Sequence, residues 1–170
     1  LYWEHCITEP IIVTRIICFA IFIKFILINK NNNMYESEVE IRVRYAETDR
    51  MGYCYYGNYA QYFEVARVES LRSLGFSYKK LEDSGILLPV RDFSITYYKP
   101  AFYDDLLKIK SQIVELPAFR IKFKYKTYNQ NNENINFGET TLVFISNVKN
   151  KPVNCPEELI TELKPFFYEK

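Results

Sequence analysis

Residues 45–64 read YAETDRMGYCYYGNYAQYFE, and Asp49 is the side chain in this stretch best suited to chemistry. It is followed by Gly52, an aromatic run at 53–56, Gly57 and the pair Asn58-Tyr59. A carboxylate in a loop just ahead of a helix can attack an electrophilic carbon or take a proton from water. The first amides of a helix have no intrahelical acceptor and sit at the positive end of its dipole, so they suit a developing oxyanion. On residue type alone, Asp49 also fits the ordinary fate of a loop aspartate, which is to hold a turn or cap. Cys54 has no activating base or partner and reads as a small buried residue. The chain's single histidine is His5, so residues 34–170 contain none. That removes Ser-His-Asp and Cys-His catalysis, histidine bases and most catalytic zinc sites.

The elements that must hold this stretch follow from hydrophobic spacing. Val39, Ile41, Val43 and Tyr45 alternate with charged residues, the period of a half-buried strand. Asn58 is a good helix N-cap, and Tyr59, Tyr62, Phe63, Ala66 and Leu74 fall on one face after it. Ala66 and Ser70, both small, would let that helix lie close to a sheet. Glu64 lies off the apolar stripe and reads as a surface residue, and Gly75 is a suitable stop. A short polar helix is expected over 78–83. Strands are expected over about 87–98, 106–115, 120–128 and 135–147, meandering antiparallel, with a hairpin loop at 129–134. A terminal helix opens at Pro156 and runs through Leu163. The order predicts an α+β domain in which one long curved sheet buries one helix.

Composition narrows the partners. The 22 basic and 21 acidic side chains nearly balance, so the chain lacks the footprint of a general nucleic-acid binder. With 5 glycines and no GxGxxG or GxxxxGK, no glycine-rich loop is available to cradle phosphates. The 4 cysteines form no CxxC pair and no metal-ligand spacing, which fits a reducing cytoplasm. Residues 11–28 are strongly apolar but are interrupted by Arg15 and Lys24, and a spanning helix needs about 20 predominantly apolar residues. Residues 1–33 are expected to precede a true start at Met34, with a membrane-associating helix as the alternative. The domain is then 34–170, and membrane contact is expected only if residues 1–33 are expressed.

The spaced set of Asp49, Gly52, an aromatic turn and Asn58-Tyr59 resembles the active-site signature of the 4-hydroxybenzoyl-CoA thioesterase family. It is especially similar to the Tol-Pal-associated acyl-CoA thioesterase branch. The likeness continues through Tyr62-Phe63-Glu64, Ala66-Arg67 and Tyr98-Lys99-Pro100-Ala101 before Asp104-Asp105, and spans Met34 to the C-terminus. It implies the hot-dog fold and hydrolysis of an acyl-CoA thioester to a free acid and CoA. Asp49 would be nucleophile or general base, and the backbone N–H of Tyr56 an oxyanion donor, with Gly57 as a second donor. Asn58 and Tyr59 are candidate substrate contacts. The resemblance implies no metal and no cofactor other than the CoA of the substrate, and a homodimer or homotetramer with sites at subunit interfaces. Many members of the Tol-Pal branch carry histidine where this chain has Tyr56, whereas the hydroxybenzoyl enzyme is similar in having tyrosine. A backbone donor survives that change. Two rivals stand beside this reading: a hot-dog dehydratase, which would need a histidine, and a non-catalytic acyl-CoA-binding or membrane-tethered protein. The Lys122, Lys124 and Lys126 row could meet CoA phosphates, although a solvated strand face is the default.

Overall fold

The structure is a computed structural model that describes residues 33–168, so the expectation for 1–33 lies almost wholly outside the described residues. Strand β1 (Tyr35–Arg42) leads through a single 3-10 turn at Tyr45–Glu47 to the long helix α1 (Asn58–Ser73). Helix α2 (Tyr78–Asp83) matches the expected short helix residue for residue. Strands β2 (Ile86–Leu87), β3 (Val90–Tyr97), β4 (Leu106–Ile113), β5 (Arg120–Tyr128) and β6 (Asn134–Val143) follow. Two short strands, β7 (Ile145–Ser146) and β8 (Lys151–Pro152), precede helices α3 (Glu157–Leu163) and α4 (Pro165–Tyr168).

Five strands form one antiparallel sheet in the order β1-β4-β5-β6-β3, and β2, β7 and β8 form a second, small one. The simple meander therefore holds only for β4, β5 and β6. Strand β3 skips its neighbour in sequence and pairs with β6, while β4 pairs with β1. Helix α1 lies across the inner face between β1 and β3 in sequence, which carries those two strands to opposite edges. Two expected strands are also divided. Pro89 has no N–H for a ladder, and the chain before it turns away to pair with β7. The second break follows β6, where Phe144 is buried and the chain moves from the large sheet to the small one.

The inner face of the sheet receives the predicted stripe of α1. Tyr59, Tyr62, Phe63, Ala66 and Ser70 are all buried against it. The Phe63 ring stacks on Tyr125 with centroids 4.3 Å apart and planes 3° from parallel. Burying a phenylalanine of this kind contributes roughly 1.5–3 kcal/mol. Gly138 on β6 makes the contact possible, because a Cβ there would stand 2.2 Å from Cε2 of Phe63. Arg67, one turn beyond Phe63, is buried at 7% exposure and donates to the exposed Glu64 carboxylate at 3.1 Å. The periodic stripe gave no hint of that buried guanidinium.

The outer face carries the lysines. Lys108 and Lys110 pair with Glu38 and Glu36 across β4 and β1, Lys122 with Glu115, and Lys124 with Glu139. These pairs stand partly in solvent, where each is worth about 0–1 kcal/mol. Lys122 and Lys124 thus each have an acidic neighbour, Glu115 and Glu139.

Candidate active site

The turn between β1 and α1 is a small ladder bonded to itself. The N–H of Tyr55 donates to the Glu47 carbonyl at 2.8 Å, Thr48 bridges Cys54 in antiparallel fashion, and the N–H of Asp49 donates to the Tyr53 carbonyl at 2.8 Å. The Gly52 N–H closes the tip on the Asp49 carbonyl at 2.9 Å, with Gly52 at φ +79°, a left-handed conformation that glycine adopts without strain. One carboxylate oxygen of Asp49, Oδ1, accepts the N–H of Met51 at 2.8 Å and of Tyr53 at 3.4 Å. The turn-holding role of a loop aspartate is therefore filled by Oδ1. The other oxygen, Oδ2, of this half-buried side chain accepts no hydrogen bond among the described residues.

The ladder delivers the chain to the start of α1. Gly57 occupies the N-cap position in helical geometry, one residue ahead of the expected cap at Asn58. Asn58 is instead the first helical residue, and its side-chain nitrogen donates 2.7 Å to the Glu47 carbonyl. Its role in the fold is thus to tie α1 to the 3-10 turn. Tyr59 is buried, with its ring against Tyr62, Phe63 and Tyr97. Of the two candidate substrate contacts, Asn58 is half-buried and Tyr59 is buried. Tyr56 points the other way, 64% exposed, with its ring 4.5 Å from that of Tyr55. The N–H groups of Tyr56 and Gly57 meet no acceptor among the described residues. A Cβ at Gly57 would meet Cε1 of the exposed Tyr55 ring at 2.8 Å, so that ring would have to swing aside.

Under this loop sits an acid that pattern reading did not single out. Glu47 is 7% exposed, two residues before Asp49. Its Oε2 accepts the backbone N–H of Arg44 and the Tyr62 hydroxyl, each at 2.7 Å, and its Oε1 accepts Nε of Arg44 at 2.9 Å. Burial works to raise the carboxyl's pKa. The hydrogen bonds from Arg44 and Tyr62, with the Arg44 charge, outweigh it and hold Glu47 below the usual carboxylate range. Burial and the bond to Glu47 together push the Tyr62 phenol far up. The Cys54 thiol, 3.5 Å from the Tyr62 hydroxyl, is also pushed up by burial. A buried protonated thiol is a packing group, as expected of Cys54. Glu47 escaped notice because a lone glutamate in a polar turn has no periodicity to betray its burial.

Among the described residues, no group of three or more His, Cys, Asp or Glu could hold a metal ion, and no helix is long and apolar enough to cross a membrane. Residues 43–163, which include the whole loop and all of α1, match the family model described as the thioesterase-like superfamily. The chain is 41% identical over 96 residues to the putative acyl-CoA thioesterase YneP of Bacillus subtilis, spanning 56% of this chain and 70% of that protein. It is 32% identical over 124 residues to the acyl-CoA thioester hydrolase YbgC of Escherichia coli O157:H7, spanning 73% of this chain and 92% of that one. The solved structure of a DHNA-CoA thioesterase from Staphylococcus aureus aligns with a TM-score of 0.68 at 41% identity, covering 70% of this chain and 80% of that chain. With its helix wrapped by a five-stranded sheet and its match across three relatives, the chain belongs to the thioesterase-like superfamily and has the hot-dog fold.

Proposed function

We propose that the protein hydrolyses acyl-CoA thioesters to a free acid and CoA, with Asp49 as the catalytic carboxylate. The observation that carries this reading is the pairing of an unengaged Asp49 Oδ2 with two unengaged amides, Tyr56 and Gly57, on one self-bonded loop. In the reaction, the Asp49 carboxylate attacks the thioester carbonyl carbon, or takes a proton from the water that attacks it. The carbonyl electron pair moves onto oxygen, where the two amides and the positive end of α1 hold it. The C–S bond then breaks and CoA leaves as a thiolate that takes up a proton. In the direct route, water next hydrolyses the acyl-aspartyl anhydride. Neither route calls on a histidine, a metal or a redox cofactor. The free thiols of Cys54 and Cys155 suit a cytoplasmic setting.

The assembly in this reading is a homodimer, or a tetramer of two such dimers. Support comes from β3, whose outer edge pairs with no strand among the described residues and which exposes Val90, Phe93 and Tyr97. An open edge with large apolar side chains is a ready place for a second copy. A monomer by light scattering at working concentration would remove this part of the proposal.

The decisive experiment follows free-thiol release from a panel of acyl-CoAs by the wild type and by Asp49→Asn. Asparagine keeps an oxygen for the Met51 and Tyr53 N–H groups, so the turn survives and the loss is confined to the reactive carboxylate. A general base or nucleophile of this kind contributes about 10²–10⁴-fold, and kcat should fall by that much. Full activity in a folded Asn variant would exclude Asp49 from the mechanism.

A further inference from the structure

We propose that Tyr97 is a positioning residue that aims the Gly57 amide at the reacting oxygen; the proposal rests on the thioesterase reading above. Three successive peptide units make the entry to α1, and each is anchored by its carbonyl. The Tyr55 carbonyl accepts the N–H of Asn58 at 3.0 Å, and the Gly57 carbonyl accepts the N–H of Ala60 at 3.3 Å. Both anchors are local, made by the helix as it starts. The middle unit, Tyr56–Gly57, has no such local anchor. Its carbonyl accepts instead the Tyr97 hydroxyl at 2.9 Å, from a residue 41 positions away at the end of β3.

This bond has a directional consequence. In a planar trans peptide, C=O and N–H point in opposite directions. Fixing the Tyr56 carbonyl on Tyr97 therefore fixes the Gly57 N–H on the other side, where it meets no protein acceptor. Glycine is the residue most free to let that peptide rotate, so an external anchor matters most at this position. A hydrogen bond to the carbonyl also polarises the same peptide unit and makes its N–H a better donor. The hydroxyl is itself held in place, because the Tyr97 ring packs edge-on against the buried Tyr59 ring at 5.4 Å. An edge-strand tyrosine with 41% exposure would otherwise read as a surface aromatic.

Tyr97→Phe removes the hydroxyl and keeps the ring. The expected result is a fall in kcat of about 3- to 10-fold, the range that one lost hydrogen bond carries. KM, and the Kd of a non-hydrolysable thioether analogue of the acyl-CoA, should stay within about twofold, because the ground-state carbonyl draws little on this donor. Binding of a trifluoromethyl ketone analogue, whose hydrate mimics the oxyanion, should weaken by the same factor as kcat. Light scattering and melting temperature on the same variant check that assembly and fold are retained. An unchanged kcat overturns the proposal. So does a loss in which KM and thioether Kd rise as kcat falls, since Tyr97 would then be binding substrate. Wild-type protein that hydrolyses none of the acyl-CoAs overturns the thioesterase reading, and the role of Tyr97 with it.

Discussion

Replacing Glu47 with alanine should loosen the loop that carries Asp49, and the size of the effect follows from what the carboxylate holds. Glu47→Ala deprives the buried Tyr62 hydroxyl of its acceptor at 2.7 Å. Leaving a buried hydroxyl with only the weakly accepting Cys54 sulfur beside it costs about 1–3 kcal/mol. Arg44 contributes little further, because its guanidinium stands mostly in water and is solvated again once the pair is broken. For a domain of this size, the loss corresponds to a Tm lower by about 3–10 °C. Glu47→Gln keeps an amide oxygen in the same place and should recover more than half of the loss. Thermal unfolding of Glu47→Ala, Tyr62→Phe and the double variant measures the link directly. The Tyr62→Phe change removes the very hydroxyl that Glu47→Ala strands, so the double variant should be more stable than the sum of the single losses implies, by about 1 kcal/mol. Strictly additive losses would show that the two groups do not depend on each other, and that the Glu47–Tyr62 hydrogen bond contributes nothing measurable to stability.

Two further outcomes are expected. Because Glu47 titrates below its unfolded value of about 4.3, its contribution is complete above that pH and fades as the pH falls through the folded value. The Tm gap between wild type and Glu47→Gln should therefore be constant from pH 7 to about pH 5 and close at lower pH, and a gap that widens on acidification would reverse the assigned direction. Gly138→Ala would place a Cβ inside the Phe63 ring contact and should destabilise by roughly 1–3 kcal/mol in thermal unfolding, with Phe63→Leu in the same chain recovering part of it. No loss in the single variant would mean that the ring is not seated on the glycine.

The fold was legible where spacing was regular. The alternation of residues 120–126 and the 3- and 4-residue steps from Tyr59 to Leu74 reach the structure as β5 and α1. What spacing could not reveal was strand order, which depends on α1 passing beneath the sheet and sending β1 and β3 to opposite edges. The breaks at Pro89 and Phe144 are of the same kind, since they depend on a second sheet in which β2 pairs with β7 and β7 with β8. In the site, Asp49, Tyr56 and Gly57 stand out in the sequence through their frame. The Glu47–Tyr62 bond, Tyr97 and the tie of Asn58 to Glu47 do not, because each joins residues between 11 and 41 positions apart. A single sequence records residue types, whereas these roles belong to pairs.

The seat of Phe63 against Gly138 also acts as a datum for the whole helix. An α-helix advances about 1.5 Å and turns about 100° per residue, so a slip of one residue would both lift its first amides and swing them round the axis. A displacement of about 1 Å can cost about 10²-fold in rate. The ring wedged between the bare backbone of β6 and the face of Tyr125 blocks both movements. The position of the first amides of α1 is thus set deep in the interior, five residues beyond the helix start, by groups outside the loop. Changes of core volume at Phe63, Tyr125 or Gly138 would therefore shift the start of the helix while every residue of the loop stays the same.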